Sequence, residues 1–472
     1  MKSAENNRLM KNIIYALGAQ GVSILLSILL ALVFPKLLGV HQYSYWRLFS
    51  LYIAYAAVIH LGLNDGIYLR NGGKTYSELD FPALKSNLLF SVFWHVLTGI
   101  LIVWSTVGLF ALEQERAFVI VGTAICALFT NVVGFLHAVL QSTNRIKAYS
   151  GAVLVEKVSF LLVILFGVVI RCKSMEVYVV AFILSRMLSV GYSFWICRDI
   201  LKCRCASWTV TLRVLLANVS SGINLLISNF SNMLLLGVAQ FMIDARWGIE
   251  AFGMFSLALA MSEFFVSFIS QISVALFPEF RKMEKEALSN SYRALRTGFG
   301  ALLLLAMFGY LPMYVLVKLW IPQYEESLRY LILLFPICVF DGKMGMLCNT
   351  YFKAVRKERV LLIINVLSLA MGTVLYAVAA FVLNNILLVG VAMMVTIGIR
   401  SMIAEWYLAR WFKKNTMRMR VWEFVLVVIF VVSAWVAGPI WSFAIYFVAY
   451  VIFGASYNKQ LRWLLEYGRI KE

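Results

Sequence analysis

Long apolar runs recur along the whole chain, with polar residues gathered in short stretches between them. Each run is about the twenty residues that cross the ~30 Å hydrocarbon layer of a bilayer as an α-helix. The pattern predicts helices near 12–35, 46–69, 85–110, 117–141, 149–170 and 177–197. A second set follows near 212–242, 249–277, 297–317, 327–352, 360–383 and 386–410, and a last pair near 421–437 and 440–456. Only Ala437-Gly438-Pro439-Ile440 separates that pair, which fits a tight hairpin. Membrane-spanning strands would alternate apolar and polar residues in segments of about ten, and no such segments stand out. The predicted class is an all-α polytopic membrane protein with about fourteen transmembrane helices.

Composition agrees. Of 472 residues, 62% are apolar and 14% charged, more apolar than a water-soluble surface allows. The net charge of +19 comes in small basic clusters between apolar runs. That is the signature of membrane orientation and of anionic headgroups, so no nucleic-acid partner is expected. Lys and Arg concentrate on the side of the termini, and an even number of spans puts both termini there; both are expected to be cytoplasmic. The polar segment Met1 to Lys11 precedes a run too long for a signal-peptide core, so it is expected to be retained.

Catalytic and metal chemistry find little support. Cys197, Cys203 and Cys205 cluster among Arg198, Lys202 and Arg204, a basic surround that suits reduced thiols better than zinc. His41, His60, His95 and His137 have no metal-ligand spacing. Gly73-Lys74-Thr75 looks like the end of a phosphate-binding loop, but Tyr68 stands where that loop needs a glycine. The external loops are too short to hold a catalytic domain. No enzyme activity, cofactor or metal is expected.

Weak internal repeats suggest a duplication. Phe49-Ser50-Leu51 returns 206 positions later as Phe255-Ser256-Leu257. The Gln141-to-Lys147 end of the fourth span is echoed 212 positions on, and Arg186 by Arg400 214 positions on. Two parallel six-helix halves follow, with an appended hairpin. The expected domains are 1–205, 206–415 and 416–472.

Charged residues inside spans are the candidates for function, because one at the bilayer centre costs about 2.5–3.5 kcal/mol and usually faces a bundle interior or an aqueous cavity. These are Asp65, Arg186, Glu263, Asp341, Lys343, Arg400 and Glu405. Arg186 and Arg400 lie twelve and ten residues before Arg198 and Arg410, roughly 15–18 Å inside the helix end. Two cations at matching depths could converge on one anion; the alternative is that each forms a buried ion pair within its own lobe. Lys343 and Arg47 complete the candidate set. Asn218, Ser221, Asn224, Ser228 and Asn232 recur every three or four residues, one face of a helix, and are expected to line a hydrated cavity. His60 and Asn64 share a face in the second span. The eighth span carries Ser256, Glu263, Ser267 and Ser270, and the first Gln20, Ser23 and Ser27. Glu263 and Asp65 are candidates for ion coupling.

Three segments carry a family resemblance: Phe34-Pro35-Lys36-Leu37-Leu38-Gly39, Tyr43-Ser44-Tyr45-Trp46 and the stretch from Gly62 to Lys74. They resemble the bacterial O-antigen and capsule flippases of the multidrug/oligosaccharidyl-lipid/polysaccharide (MOP) exporter superfamily. The resemblance implies two pseudo-symmetric six-helix lobes around a cationic central cavity, in the bacterial inner membrane. It implies alternating-access transfer of an undecaprenyl-pyrophosphate-linked oligosaccharide to the outer leaflet for surface polysaccharide biosynthesis, with glycosyltransferases and a polymerase of the same pathway as partners. Arg186, Arg400, Lys343 and Arg47 would then hold the pyrophosphate, whose dense charge suits guanidinium and ammonium groups. Two other readings share the architecture: a cation-coupled multidrug antiporter and a lipid II-type flippase. The antiporter would need acidic cavity residues, whereas three of the deepest candidates here are basic. A membrane polymerase or glycosyltransferase would need a large external or acid-rich loop, which is missing.

Overall fold

The computed structural model describes residues 2–282 and 285–469, with side chains for 21–22, 25–266 and 288–457. Among the described residues the chain is helical, without strands. The first unit comprises α1 (Lys2–Ala56), α2 (Leu63–Asn71), α3 (Phe81–Thr106), α4 (Gln114–Ser142), α5 (Ile146–Val169), α6 (Met175–Ile196) and the short α7 (Arg198–Lys202). Then come α8 (Trp208–Trp247), α9 (Ile249–Lys282), α10 (Lys285–Ala306), α11 (Tyr310–Trp320), α12 (Ser327–Leu334), α13 (Ile337–Lys343) and α14 (Asn349–Ala354). The chain ends in α15 (Glu358–Ala377), α16 (Ile386–Trp411), α17 (Met417–Val436) and α18 (Gly438–Arg469). Thirteen helical segments among the described residues are long and apolar enough to cross a membrane. The predicted loop between the first two spans is instead a single break inside α1, at Gly39, whose φ of +71° favours a residue without Cβ.

Two compact units divide at 230/231, within α8. In the first, α1 packs on α4, α5 and α6, while α2 and α3 pack on α4. Phe34, Trp46, Phe49, Phe160 and Phe182 form its aromatic centre, with Trp46 and Phe160 stacked at 5.7 Å. Alternate loops meet at opposite ends. Gln42 accepts from the Met175 amide at 2.9 Å and Tyr45 donates to Glu113 at 2.6 Å at one end. Lys85 reaches the Leu201 and Cys203 carbonyls, both at 2.8 Å, at the other.

In the second unit, α12 and α13 pack between α9 and α16. The segment from α12 to α14 is the most enclosed span, interrupted at Phe335-Pro336 and by a π-turn at Met344–Cys348. The hairpin of α17 and α18 docks on α10, where Tyr446 donates to the Leu304 carbonyl at 2.8 Å.

Candidate functional site

The second predicted span is not one helix. After α1 ends, Ala57–His60 forms a 3-10 turn, Leu61 and Gly62 take left-handed angles, and α2 starts afresh. Such a break leaves backbone groups without intrahelical partners, which hydrocarbon cannot supply. Neighbouring side chains do. Asn131 on α4 donates to the carbonyls of Ala56 (3.2 Å) and Ala127 (2.9 Å), and Trp94 on α3 donates to that of Ile59 at 2.9 Å. His60 Nδ1 accepts from the Gly62 amide at 3.0 Å, which leaves its Nε2 side 3.9 Å from Asp65. Asn64 is buried and donates to the Asn131 carbonyl at 3.2 Å. The expected shared face of His60 and Asn64 is therefore corrected: both serve the break, because no continuous helix carries them.

Glycines bring α2 against the first half of α8. A Cβ on Gly66 would overlap the Asn218 carbonyl, and one on Gly222 would overlap that of Gly62. Asn218 is thus buried, its side-chain oxygen accepting from Arg70 at 2.7 Å. Ser221 and Asn224 are exposed and Ser228 half-buried. Asn232, already in the second unit, accepts from Arg400.

Three of the four predicted anion-binding cations have carboxylate partners. Arg186 lies 2.9 Å from Glu156, which also meets Lys157 at 3.1 Å. Arg400, with 1% of its side chain exposed, meets Asp341 at 2.5 Å. Lys343, 2% exposed, meets Glu405 at 2.9 Å and Glu423 at 2.8 Å. Arg296 closes that group, 2.8 Å from Glu405 and from Glu423. Helices α10, α13, α16 and α17 are joined there by Lys343 and Arg296 facing two carboxylates, with Arg420 of α17 a third cation 3.8 Å from Glu405. A cation so enclosed has no face left for a ligand, so the assignment of Lys343 to an anion is corrected. Each charge stays in the apolar bundle because its neighbour offsets the desolvation cost. Arg47 differs. It is half-buried, its Nε has no hydrogen-bond partner, and among the described residues no carboxylate pairs with it.

Glu263 is half-buried on α9. The side chains of Gln20, Ser23, Ser267 and Ser270 lie outside the described residues. Glu156, Arg296 and Glu423 were missed by sequence reasoning. Glu156-Lys157 sits well inside an apolar run and could have been found. Arg296 fell one residue before the drawn edge of its span, and Glu423 too close to a helix end to stand out. Among the described residues no group of three His, Cys, Asp or Glu is placed to hold a metal ion.

Solved structures share this fold. An inward-facing multidrug resistance MATE family transporter of the MOP superfamily superposes with a TM-score of 0.59 at 14% identity, covering 84% of this chain and 94% of its own. The lipid II flippase MurJ, in an inward closed conformation, gives 0.58 at 12% identity, covering 96% of this chain and all of its own. The fold is that of the MOP superfamily transporters. A further member, from Pyrococcus furiosus and described by the reverse polarity of its binding pocket, gives 0.55 at 14% identity over 86% of this chain and 96% of its own. No family model matches the chain, nor does any curated protein. At these identities the likeness is one of fold.

Proposed function

We propose that this protein is a flippase that carries a polyprenyl-pyrophosphate-linked oligosaccharide across the bacterial inner membrane by alternating access, with its termini in the cytoplasm. One observation carries the choice over a multidrug antiporter: the extent of the match. The lipid II flippase leaves only 4% of this chain uncovered, about nineteen residues, whereas α17 and α18 together hold 52. The match must therefore extend into the hairpin. The multidrug transporter leaves 16% uncovered. The hairpin is also no loose appendage, since Glu423 ties it to Arg296 and Lys343.

The ion pairing narrows the proposed anion site to the first unit. Arg47 has no carboxylate partner, and Glu156 faces two cations, Arg186 and Lys157, which leaves a net positive charge. Arg400, held by Asp341 and Asn232, is assigned to the framework with Lys343. Exposed Ser221 and Asn224 offer hydrogen bonds to sugar hydroxyls. The polyprenyl chain stays in lipid throughout, so only the headgroup needs a polar route. Ion coupling at Glu263 and Asp65 remains part of the proposal. No catalytic step is included.

Reconstitution in liposomes with a fluorescent polyprenyl-pyrophosphate oligosaccharide tests this reading, under imposed proton, sodium and voltage gradients. Protein-dependent transfer between leaflets is expected, with no efflux of cationic dyes. Dye efflux without lipid transfer would overturn the proposal in favour of the antiporter. Glu263→Gln is expected to weaken any ion dependence of transfer.

A further inference from the structure

Two turns of the second unit carry an excess of positive charge. The end of α14 and the turn into α15 hold Lys353, Arg356, Lys357 and Arg359 against a single carboxylate, Glu358. The end of α16 and the turn after it hold Arg410, Lys413 and Lys414 and no acid. These turns lie together: the Lys357 ammonium is 4.8 Å from the centre of the Trp411 ring, and Phe352 stacks on Tyr407 at 5.6 Å. Both helices end in the same way. The Lys357 amide donates to the Phe352 carbonyl at 2.8 Å, and the Lys414 amide to that of Ala409 at 2.9 Å. Arg356 (φ +55°) and Lys413 (φ +52°) thereby take left-handed angles that favour glycine, so a cation is kept at each against the backbone preference. Among the described residues no carboxylate lies within ion-pair reach of Lys353, Arg356, Arg359, Arg410 or Lys413. Helix dipoles give no net compensation, since the C-terminal ends of α14 and α16 are matched by the N-terminal ends of α15 and α17.

Apolar surface leads up to this charge. On α16, Ile399, Ile403, Trp406 and Arg410 follow at steps of three or four, and all are exposed. On α15, which packs against α16, exposed Leu367 and Ile363 lead to exposed Arg359 in the same way. Exposed indole rings at the end of a span sit at headgroup level, so Trp406 and Trp411 place the cations at the depth of lipid phosphates. A zwitterionic headgroup brings its own cation and leaves the excess uncompensated; an anionic one offsets it. We propose that this end of α15 and α16 is a binding site for an anionic phospholipid of the adjoining leaflet. Cations of the two turns hold its phosphate, and its acyl chains run along the two stripes. Those stripes favour a lipid over a soluble phosphate. The site lies apart from the proposed anion site of the first unit, and the proposal requires no particular orientation of the chain in the membrane.

The test places the full chain in phosphatidylcholine nanodiscs with rising fractions of brominated phosphatidylglycerol or brominated phosphatidylcholine, since bromine quenches tryptophan. The signal of Trp406 and Trp411 is the difference between each protein and its Trp406→Phe/Trp411→Phe counterpart. Quenching by the phosphatidylglycerol should saturate at a low fraction, whereas the phosphatidylcholine should quench only in proportion to its amount. Arg356→Gly with Lys413→Gly removes two cations where glycine suits the backbone, so the fold is kept. Each cation removed should weaken the preference about fivefold. Arg198→Ala with Lys202→Ala, a basic pair exposed on α7, should leave the preference unchanged. Native mass spectrometry of retained lipid reads the same preference without the tryptophan changes, should those variants fail to fold. Equal quenching by both lipids overturns the proposal, as does a preference that survives the double glycine variant. So does an equal loss in the α7 variant, which would mean a general surface charge effect. Displacement of the lipid by millimolar glycerol phosphate would reassign the patch to a soluble anion and overturn it too.

Discussion

Lys343 on α13 and Glu423 on α17 stand 2.8 Å apart with almost no exposure of either side chain. This contact fastens the terminal hairpin to the second unit, and the group is completed by Glu405, which pairs with Lys343, and Arg296, which pairs with both Glu405 and Glu423. Removing one partner of a buried pair strands the other charge, at a cost of about 3–5 kcal/mol. Glu423→Ala is therefore expected to lower the melting temperature of the detergent-solubilised protein sharply. Lys343→Met combined with Glu423→Leu should recover much of the loss, because no charge is then left unpaired. A double variant as unstable as the single one would show that the pairing is not what matters.

Arg47 and Arg186 should behave differently on truncation. Arg186→Ala leaves Glu156 with Lys157 alone, so reduced abundance in the membrane is expected beside any loss of transport. Arg47→Ala strands no carboxylate. It should keep abundance and melting temperature while lowering headgroup transfer tenfold or more, since a charge-assisted contact to the anion is worth about 1.5–3 kcal/mol. Comparing immunoblot abundance with transfer rate separates the two outcomes.

Asn131 supports the break in the second span. Asn131→Leu keeps the volume but leaves the Ala56 carbonyl without its donor in an apolar interior. A cost of about 1–3 kcal/mol is expected. Amide hydrogen exchange over 57–62 should accelerate, while α5 and α6 keep their protection.

The seam between α2 and the first half of α8 depends on missing Cβ atoms. Gly66→Ala and Gly222→Ala each force the two backbones apart. Overpacking of this kind costs about 1–3 kcal/mol, and the Arg70–Asn218 hydrogen bond should weaken with it. Gly73→Ala, which meets open space but sits at a φ of +92°, is a control for backbone strain alone.

The chain's own pattern determined the membrane class, the helical character and nearly every span, because hydrocarbon penalises polar backbone and each crossing needs about twenty apolar residues. It also marked Arg186, Lys343 and Arg400 as charges that require an explanation. Which explanation holds was decided by tertiary structure alone. Glu156, Asp341, Glu405 and Glu423 reach those cations from other helices or other turns, and helix rotation, which sets such meetings, is not written in local composition. The break at 57–62 was hidden for the same reason. Its run is apolar enough to read as continuous helix, and only Asn131 and Trp94, brought in from α4 and α3, make the interruption affordable in lipid.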